Sequence, residues 1–419
     1  MSERKNPDVI RIDDIAEPVL TGAQRQALTF GDANPVRFDD ELVLETARQQ
    51  TGLSDFGADD FRERLQVWCR AIEGDAELSG YARFGLWMET VRFASNRLYV
   101  EDLVKRHPGI LDIPIDRPLI VAGLPRSGTT HLLQILSADP RLRSLPYWEA
   151  QRPVAAPYVV DGEDTRFRIA DEGWVAYDAV LPYVKAIHEF SPEHVSEDYE
   201  LQCLDFGSYY IEWNARIPDW RDYYLSLDHT SIYRYMRKGM QVLTWHGGPN
   251  RWVTKCPQHM EQLVSVNAAF PDAITVITHR DPVASIQSAI TALGYSSRVT
   301  RTRIDLPAIR DYWIDRYERL LRRCVEQRDQ IDDRRVVDVY FEDLVGDPVR
   351  VVGGVYETAG LDFDEASRAT LDAALEANLR GRHGRVVYDL RRDFGIEPAE
   401  IRERFGFYFD RFPVQVEVR

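Results

Sequence analysis

From about Asp39 to Lys105, apolar residues recur at helical spacing, in stretches such as FRERLQVWCRAI and GLWMETVRFASNRLYVEDLV. That period predicts several amphipathic helices packed as scaffold on the rest of the chain. Residues 1–35 are polar and read as an extended arm. Beyond Lys105 the pattern changes. RPLIVAGLP is a short unbroken apolar run closed by Gly and Pro, which suits a strand covered on both faces. SGTTHLLQILSADP then predicts a helix ended by Asp139-Pro140. Apolar runs at RWVTK (251–255), AITVITH (273–279) and RRVVDVYF (334–341) predict three further strands, with helical patterns between them. Strands alternating with helices imply an α/β fold with a central parallel sheet flanked by helices. Ligands of such sheets bind beyond the carboxyl ends of the strands. Arg126, Lys255, Arg280 and Tyr340 all follow or end a predicted strand.

The chain has 419 residues, enough for one large α/β domain with helical additions. The expected division is an arm over 1–35, a helical region over 36–112 and an α/β domain over 113–419. Residues 150–250 form a helical insertion within that domain. Between Trp174 and Trp245 lie 15 aromatic residues in 72, about twice the chain-wide 11%. They read either as a bulky structural core or as an apolar lid over a small-molecule acceptor. Net charge is −16, which disfavours a nucleic-acid partner but leaves room for one small anion in a local basic pocket. Cys69, Cys203, Cys256 and Cys324 form no CxxC pair, so reduced thiols fit better than disulfides or zinc. MSERKNPDVIRIDD is charged and lacks a signal-peptide apolar core, and no apolar run approaches membrane-spanning length. The expectation is a cytoplasmic protein, monomer or homodimer.

Two motifs carry candidate chemistry. GLPRSGTTHL has the strand, glycine-bounded turn and helix of a phosphate-binding P-loop. Such a loop aims backbone N–H groups and the helix dipole at a tetrahedral anion. Pro125, Arg126, Ser127, Gly128, Thr129 and Thr130 are its expected binding residues. Thr129 stands where an NTPase has its lysine, and the cation is instead Arg126, three places earlier. That substitution argues against ATP hydrolysis. In the second motif, VITHRDPVASIQSAITAL, Arg280 follows a strand and Ser285 and Ser288 lie five and eight residues on. A helix from Pro282 puts both serines on one face, where an Arg fork and two hydroxyls can clamp a second phosphate.

Together these motifs resemble the sulfotransferases that use 3′-phosphoadenosine 5′-phosphosulfate (PAPS). The likeness is to bacterial members of mycobacterial or actinobacterial type, and tyrosylprotein sulfotransferases share the PRSGTT stretch. It extends through PYWEAQRP, WVTKCPQH, VYFEDLVGDP and HGRVVYDLRRDFGI. The resemblance implies a P-loop-containing nucleotide-binding fold. It also implies sulfonate transfer from PAPS to a hydroxyl of an apolar small molecule, in line and without metal, leaving adenosine 3′,5′-bisphosphate. The first motif then holds the 5′-phosphosulfate, and Arg280 with Ser288 holds the 3′-phosphate. A P-loop kinase or a non-catalytic nucleotide-binding homologue is the alternative.

The resemblance also assigns roles. Lys255 matches a catalytic lysine that reaches the transferring group, and Arg126 joins it as a cation. An acceptor hydroxyl must lose a proton, so a general base is expected. Glu149, 23 residues after Arg126, and His259, 21 before Arg280, compete for that role. His188, His194, Glu197 and Asp198 follow behind them. Tyr340 matches a residue beside adenine. In LRGRHGRVVYDL, Arg382, His383 and Gly384, with Arg380 and Arg385 nearby, approximate a late basic clamp on the 3′-phosphate.

Overall fold

The computed structural model describes residues 9–187, 191–378 and 384–419. Its centre is a four-stranded parallel sheet of β1 (Leu119–Gly123), β2 (Val253–Lys255), β3 (Ile274–His279) and β4 (Val336–Tyr340). The spatial order is β2-β1-β3-β4. Val121 lies opposite Lys255, Gly123 opposite Thr278, and His279 opposite Tyr340. These are the four strands that the apolar runs predict.

The unbroken apolar runs reflect burial on both faces. Leu119 and Val121 point into a cluster with Leu132, Leu133 and Leu136 of the helix Thr129–Ser137 and with Val352 and Val355. Ile120 faces Met236 and Met240 of the helix Thr230–Trp245, and Ala122 faces Ile290 and Tyr317. Every residue of β1 and β3 is buried. The helix after β3 runs Pro282–Thr300, with Pro282 in its first turn and the Asp281 carboxylate capping Val283 N–H.

The expected helices between Asp39 and Lys105 are Asp40–Thr51, Phe61–Gly74 and Gly80–Arg106. Their apolar faces share one cluster with Phe206, Tyr209, Trp220 and Tyr224 of the aromatic-rich stretch. Much of that stretch is therefore structural core. Its earlier part differs: the helix Arg166–Val180 exposes Phe167, Val175 and Tyr177.

The arm read over residues 1–35 needs correction. Gly22–Ala33 is a helix, entered through a capping box in which Thr21 and Gln24 satisfy each other's backbone N–H groups. Gln24 is also buried and donates to the carbonyl of Val180 at 2.9 Å. Upstream, Val9–Ile10 pairs in parallel with Arg385–Val386. All four cysteines are buried and unpaired. Among the described residues, no helix is long and apolar enough to cross a membrane.

Candidate active site

The loop after β1 folds back so tightly that Gly123 has no room for a side chain. A Cβ there would lie 2.0 Å from Thr278 Oγ1 and 2.8 Å from Ser127 Oγ. Ser127 closes the turn: its N–H and its hydroxyl both donate to the Leu124 carbonyl, at 3.1 and 2.7 Å. The same hydroxyl meets Thr278 Oγ1 at 2.6 Å, which ties the loop to β3. Gly128 has φ +90°, a region that favours glycine, and immediately precedes the helix beginning at Thr129. The first N–H groups of that helix have no partner within it and are available to an anion.

Arg126 takes φ +71°, a conformation that costs a non-glycine residue about 1–2 kcal/mol. Two contacts hold it there. Its carbonyl accepts Arg280 Nη1 at 2.5 Å, and its Nε donates to Ser288 Oγ at 3.2 Å. Ser288 in turn donates to the Tyr388 hydroxyl at 2.9 Å. The two motifs, about 150 residues apart in sequence, thus form one cationic pocket beyond the carboxyl ends of β1 and β3. Burial, and then the charge of Arg280, pull the Arg126 guanidinium below its ordinary value. Arg126 makes no salt bridge among the described residues. A half-buried cation without a carboxylate, beside a second cation, is poised for an anionic ligand.

Lys255 reaches the same loop from the end of β2. Its Nζ donates to Thr130 Oγ1 at 3.3 Å and is ion-paired with Glu197. The Lys255 side chain is 2% exposed and that of Glu197 16%. The neighbouring acid, Asp198, turns the other way. Its N–H donates to the Lys255 carbonyl at 3.1 Å and its carboxylate meets His259 Nε2 at 2.9 Å.

The placement of the two leading base candidates does not match the expectation. His259 is wholly buried, with Nε2 on Asp198 and Nδ1 on the Tyr233 hydroxyl at 2.9 Å. Both ring nitrogens are engaged with core side chains rather than with the loop. Glu149 pairs with Arg143 at 2.9 Å, and the Arg143 backbone bonds with Arg251 and Val253, at the start of the strand whose other end carries Lys255. The carboxylate that meets Lys255 is Glu197, which the sequence offers only as one acid among several.

Ser285 is buried, and its hydroxyl has no hydrogen-bond partner among the described residues. Tyr340 ends β4 with its ring stacked on His279 at 5.3 Å. Gly384 has φ +99°. Arg380, Arg382, His383 and His188 lie outside the described residues. Four contacts escape the sequence reading. Phe341 lies 3.8 Å beneath the Arg280 guanidinium, Tyr388 joins Ser288, the Tyr317 hydroxyl meets the Pro125 carbonyl at 3.4 Å, and Glu417 pairs with Arg280. Of these, Phe341 and Tyr388 had a signal, their places in the VYFEDLVGDP and VVYDL stretches.

The model of the sulfotransferase family matches residues 118–365, which span the loop, Lys255, Arg280 and Tyr340. The chain belongs to the sulfotransferase family. It is an enzyme that transfers sulfonate groups. A crystal structure of sulfotransferase STF1 from Mycobacterium tuberculosis superposes with a TM-score of 0.76 at 27% identity, covering 88% of this chain and 98% of that one. The ω-hydroxy-β-dihydromenaquinone-9 sulfotransferase of the same organism is 24% identical over 318 residues, 70% of this sulfotransferase and 76% of the relative. Protein-tyrosine sulfotransferase 2 of Gallus gallus is 24% identical over 255 residues, 60% of this chain, and the match spans only 53% of that protein. Among the described residues, no group of His, Cys, Asp or Glu is arranged to hold a metal ion.

Proposed function

We propose that this sulfotransferase takes its sulfonate from PAPS and delivers it to the hydroxyl of an apolar small molecule. The observation that carries the donor assignment is Arg126, a half-buried cation with no salt bridge among the described residues, bonded to the serine of the second motif. The residues fit a nucleotide with two anionic ends. In this reading the loop N–H groups, Arg126, Thr129 and Thr130 face one end, and Arg280, Ser288 and the Ser285 hydroxyl, which has no partner among the described residues, face the other. PAPS supplies an activated sulfonate with a good leaving group. On the same reading Tyr340, at the end of β4, lies beside the adenine.

In this reading the acceptor oxygen forms a bond to sulfur as the bond from sulfur to the 5′-phosphate oxygen breaks. The acceptor's proton goes to the Glu197 carboxylate, and adenosine 3′,5′-bisphosphate leaves. Lys255 stabilises the charge that develops on the departing oxygen. The Lys255–Glu197 pair sets a proton acceptor and a hydrogen-bond donor side by side. The apolar acceptor is supported by the Phe167, Val175 and Tyr177 side chains exposed along one helix. It is also supported by the relative named for a hydroxylated menaquinone.

Calorimetry without Mg²⁺ tests the donor. Adenosine 3′,5′-bisphosphate is expected to bind with about micromolar affinity. Arg126→Ala should weaken it by about tenfold to a hundredfold, the loss of one charged hydrogen-bonding partner. No binding by the unmodified protein rejects the donor assignment. Incubation with labelled PAPS and a panel of alcohols, read by mass spectrometry, tests the acceptor class. Transfer confined to sugars rejects it.

A further inference from the structure

Each nitrogen of the Arg280 guanidinium is in use. Nη1 donates to the Arg126 carbonyl, and Nε and Nη2 take the two oxygens of Glu417, both at 2.7 Å. The face of the group lies on Phe341. Glu417 belongs to residues 413–419, which follow the buried Phe412. The backbone N–H groups of Glu417 and Val418 donate to Asp281 Oδ2 at 2.8 and 3.3 Å, and Arg402 donates to the Val418 carbonyl. The other Asp281 oxygen caps the helix after β3. One acid therefore fixes both the helix of the second motif and the strap across its arginine.

A carboxylate gripped by two parallel N–H groups presents the same pair of oxygens as one face of a phosphate. From Pro413 onward no residue is buried, although Val414 and Val418 pack against the core, and the Glu417–Arg280 pair is the strap contact that another anion can replace. We propose that residues 413–419 are a tethered competitor of the donor. Glu417 and the 3′-phosphate of the nucleotide are alternative occupants of one edge of Arg280, and the strap swings away when the donor binds. This rests on the reading of Arg280 as the 3′-phosphate residue.

A tethered carboxylate acts at an effective concentration of about millimolar or more. A strap docked about nine-tenths of the time lowers apparent donor affinity about tenfold. Nucleotides that lack a 3′-phosphate offer Arg280 nothing in exchange and leave the strap in place. The device therefore weakens retention of 3′-phosphorylated nucleotides, spent product included, and narrows their advantage over other adenine nucleotides.

The test measures adenosine 3′,5′-bisphosphate and adenosine 5′-monophosphate by calorimetry against the unmodified protein, Glu417→Gln and a chain ending at Phe412. The bisphosphate should bind both variants about tenfold more tightly, with monophosphate affinity unchanged. Hydrogen exchange at the Glu417 and Val418 amides of the unmodified protein should accelerate on adding bisphosphate and stay constant with monophosphate. Bisphosphate affinity that is unchanged or weaker in both variants overturns the competitor and leaves the donor assignment standing. Amides that become more protected do the same, because the strap would then clamp the nucleotide. If none of the three proteins binds bisphosphate, the donor assignment fails and the strap with it.

Discussion

Glu197 and Asp198 are adjacent acids with opposite surroundings. One meets Lys255 beside the loop, and the other holds a buried histidine. The contrast separates a chemical role from a structural one. Glu197→Gln should lower kcat by about 10²- to 10⁴-fold while nucleotide affinity holds, because it removes proton acceptance and leaves the shape of the site. His259→Gln should lower the thermal midpoint, through the lost Asp198 and Tyr233 contacts, with kcat of the folded enzyme near that of the parent. Steady-state kinetics paired with thermal melts checks both, and a His259→Gln enzyme that is stable but inactive would return the histidine to the chemistry. Arg126, Lys255, Arg280 and Ser288 were legible in the sequence because each follows a strand or sits in a motif of fixed spacing. Glu197 was not. Nothing local distinguishes it from Glu149, and its role is set by a contact across 58 residues of chain.

At the scale of elements, the apolar runs located all four strands because a parallel sheet buries both faces and leaves an unmistakable pattern. The helix Gly22–Ala33 was missed for the converse reason. It has only two large apolar residues, Leu28 and Phe30, and the Thr21–Gln24 box and one buried amide help to secure it. Another arrangement invisible to periodicity docks the turn after β2 against the helix Leu306–Arg328. Arg316 is wholly buried there, between Glu261, at 2.6 Å through two nitrogens, and Glu212 at 3.0 Å. The Tyr312 hydroxyl donates to Glu212 as well. Burial pushes the Glu212 carboxyl up in spite of the arginine. Arg316→Met would strand two carboxylates in the core, at a cost of about 3–5 kcal/mol. A marked drop in the urea midpoint is expected, whereas Arg319→Met, on the exposed side of the same helix, should leave it nearly unchanged.

For the molecule as a whole, the helices between Asp40 and Arg106 share their core with Phe206, Tyr209, Trp220 and Tyr224. A chain beginning at residue 113 would expose that aromatic surface. It should be recovered as an aggregate or with the dye binding and lost near-UV dichroism of a molten state. A soluble, cooperatively unfolding fragment would contradict the shared core. The net charge of −16 steered the reading away from polyanions, yet it hid a pocket where Arg126, Lys255 and Arg280 converge. Charge balance is a property of the surface, and the pocket is a property of strand ends. The opposed directions of Glu197 and Asp198 add a constraint that concerns length rather than composition. Upstream, Ser196 N–H is pinned to the Leu145 carbonyl and Tyr147 N–H to the His194 carbonyl, so the chain reaches the pair in a fixed phase. One residue gained just before them would carry Glu197 into the place of Asp198, and one residue lost would carry Asp198 into the place of Glu197, so either change leaves one of the two places without its acid. Substitutions across this stretch are thus absorbed far more readily than insertions, and the catalytic centre is keyed to a count of residues as much as to their kinds.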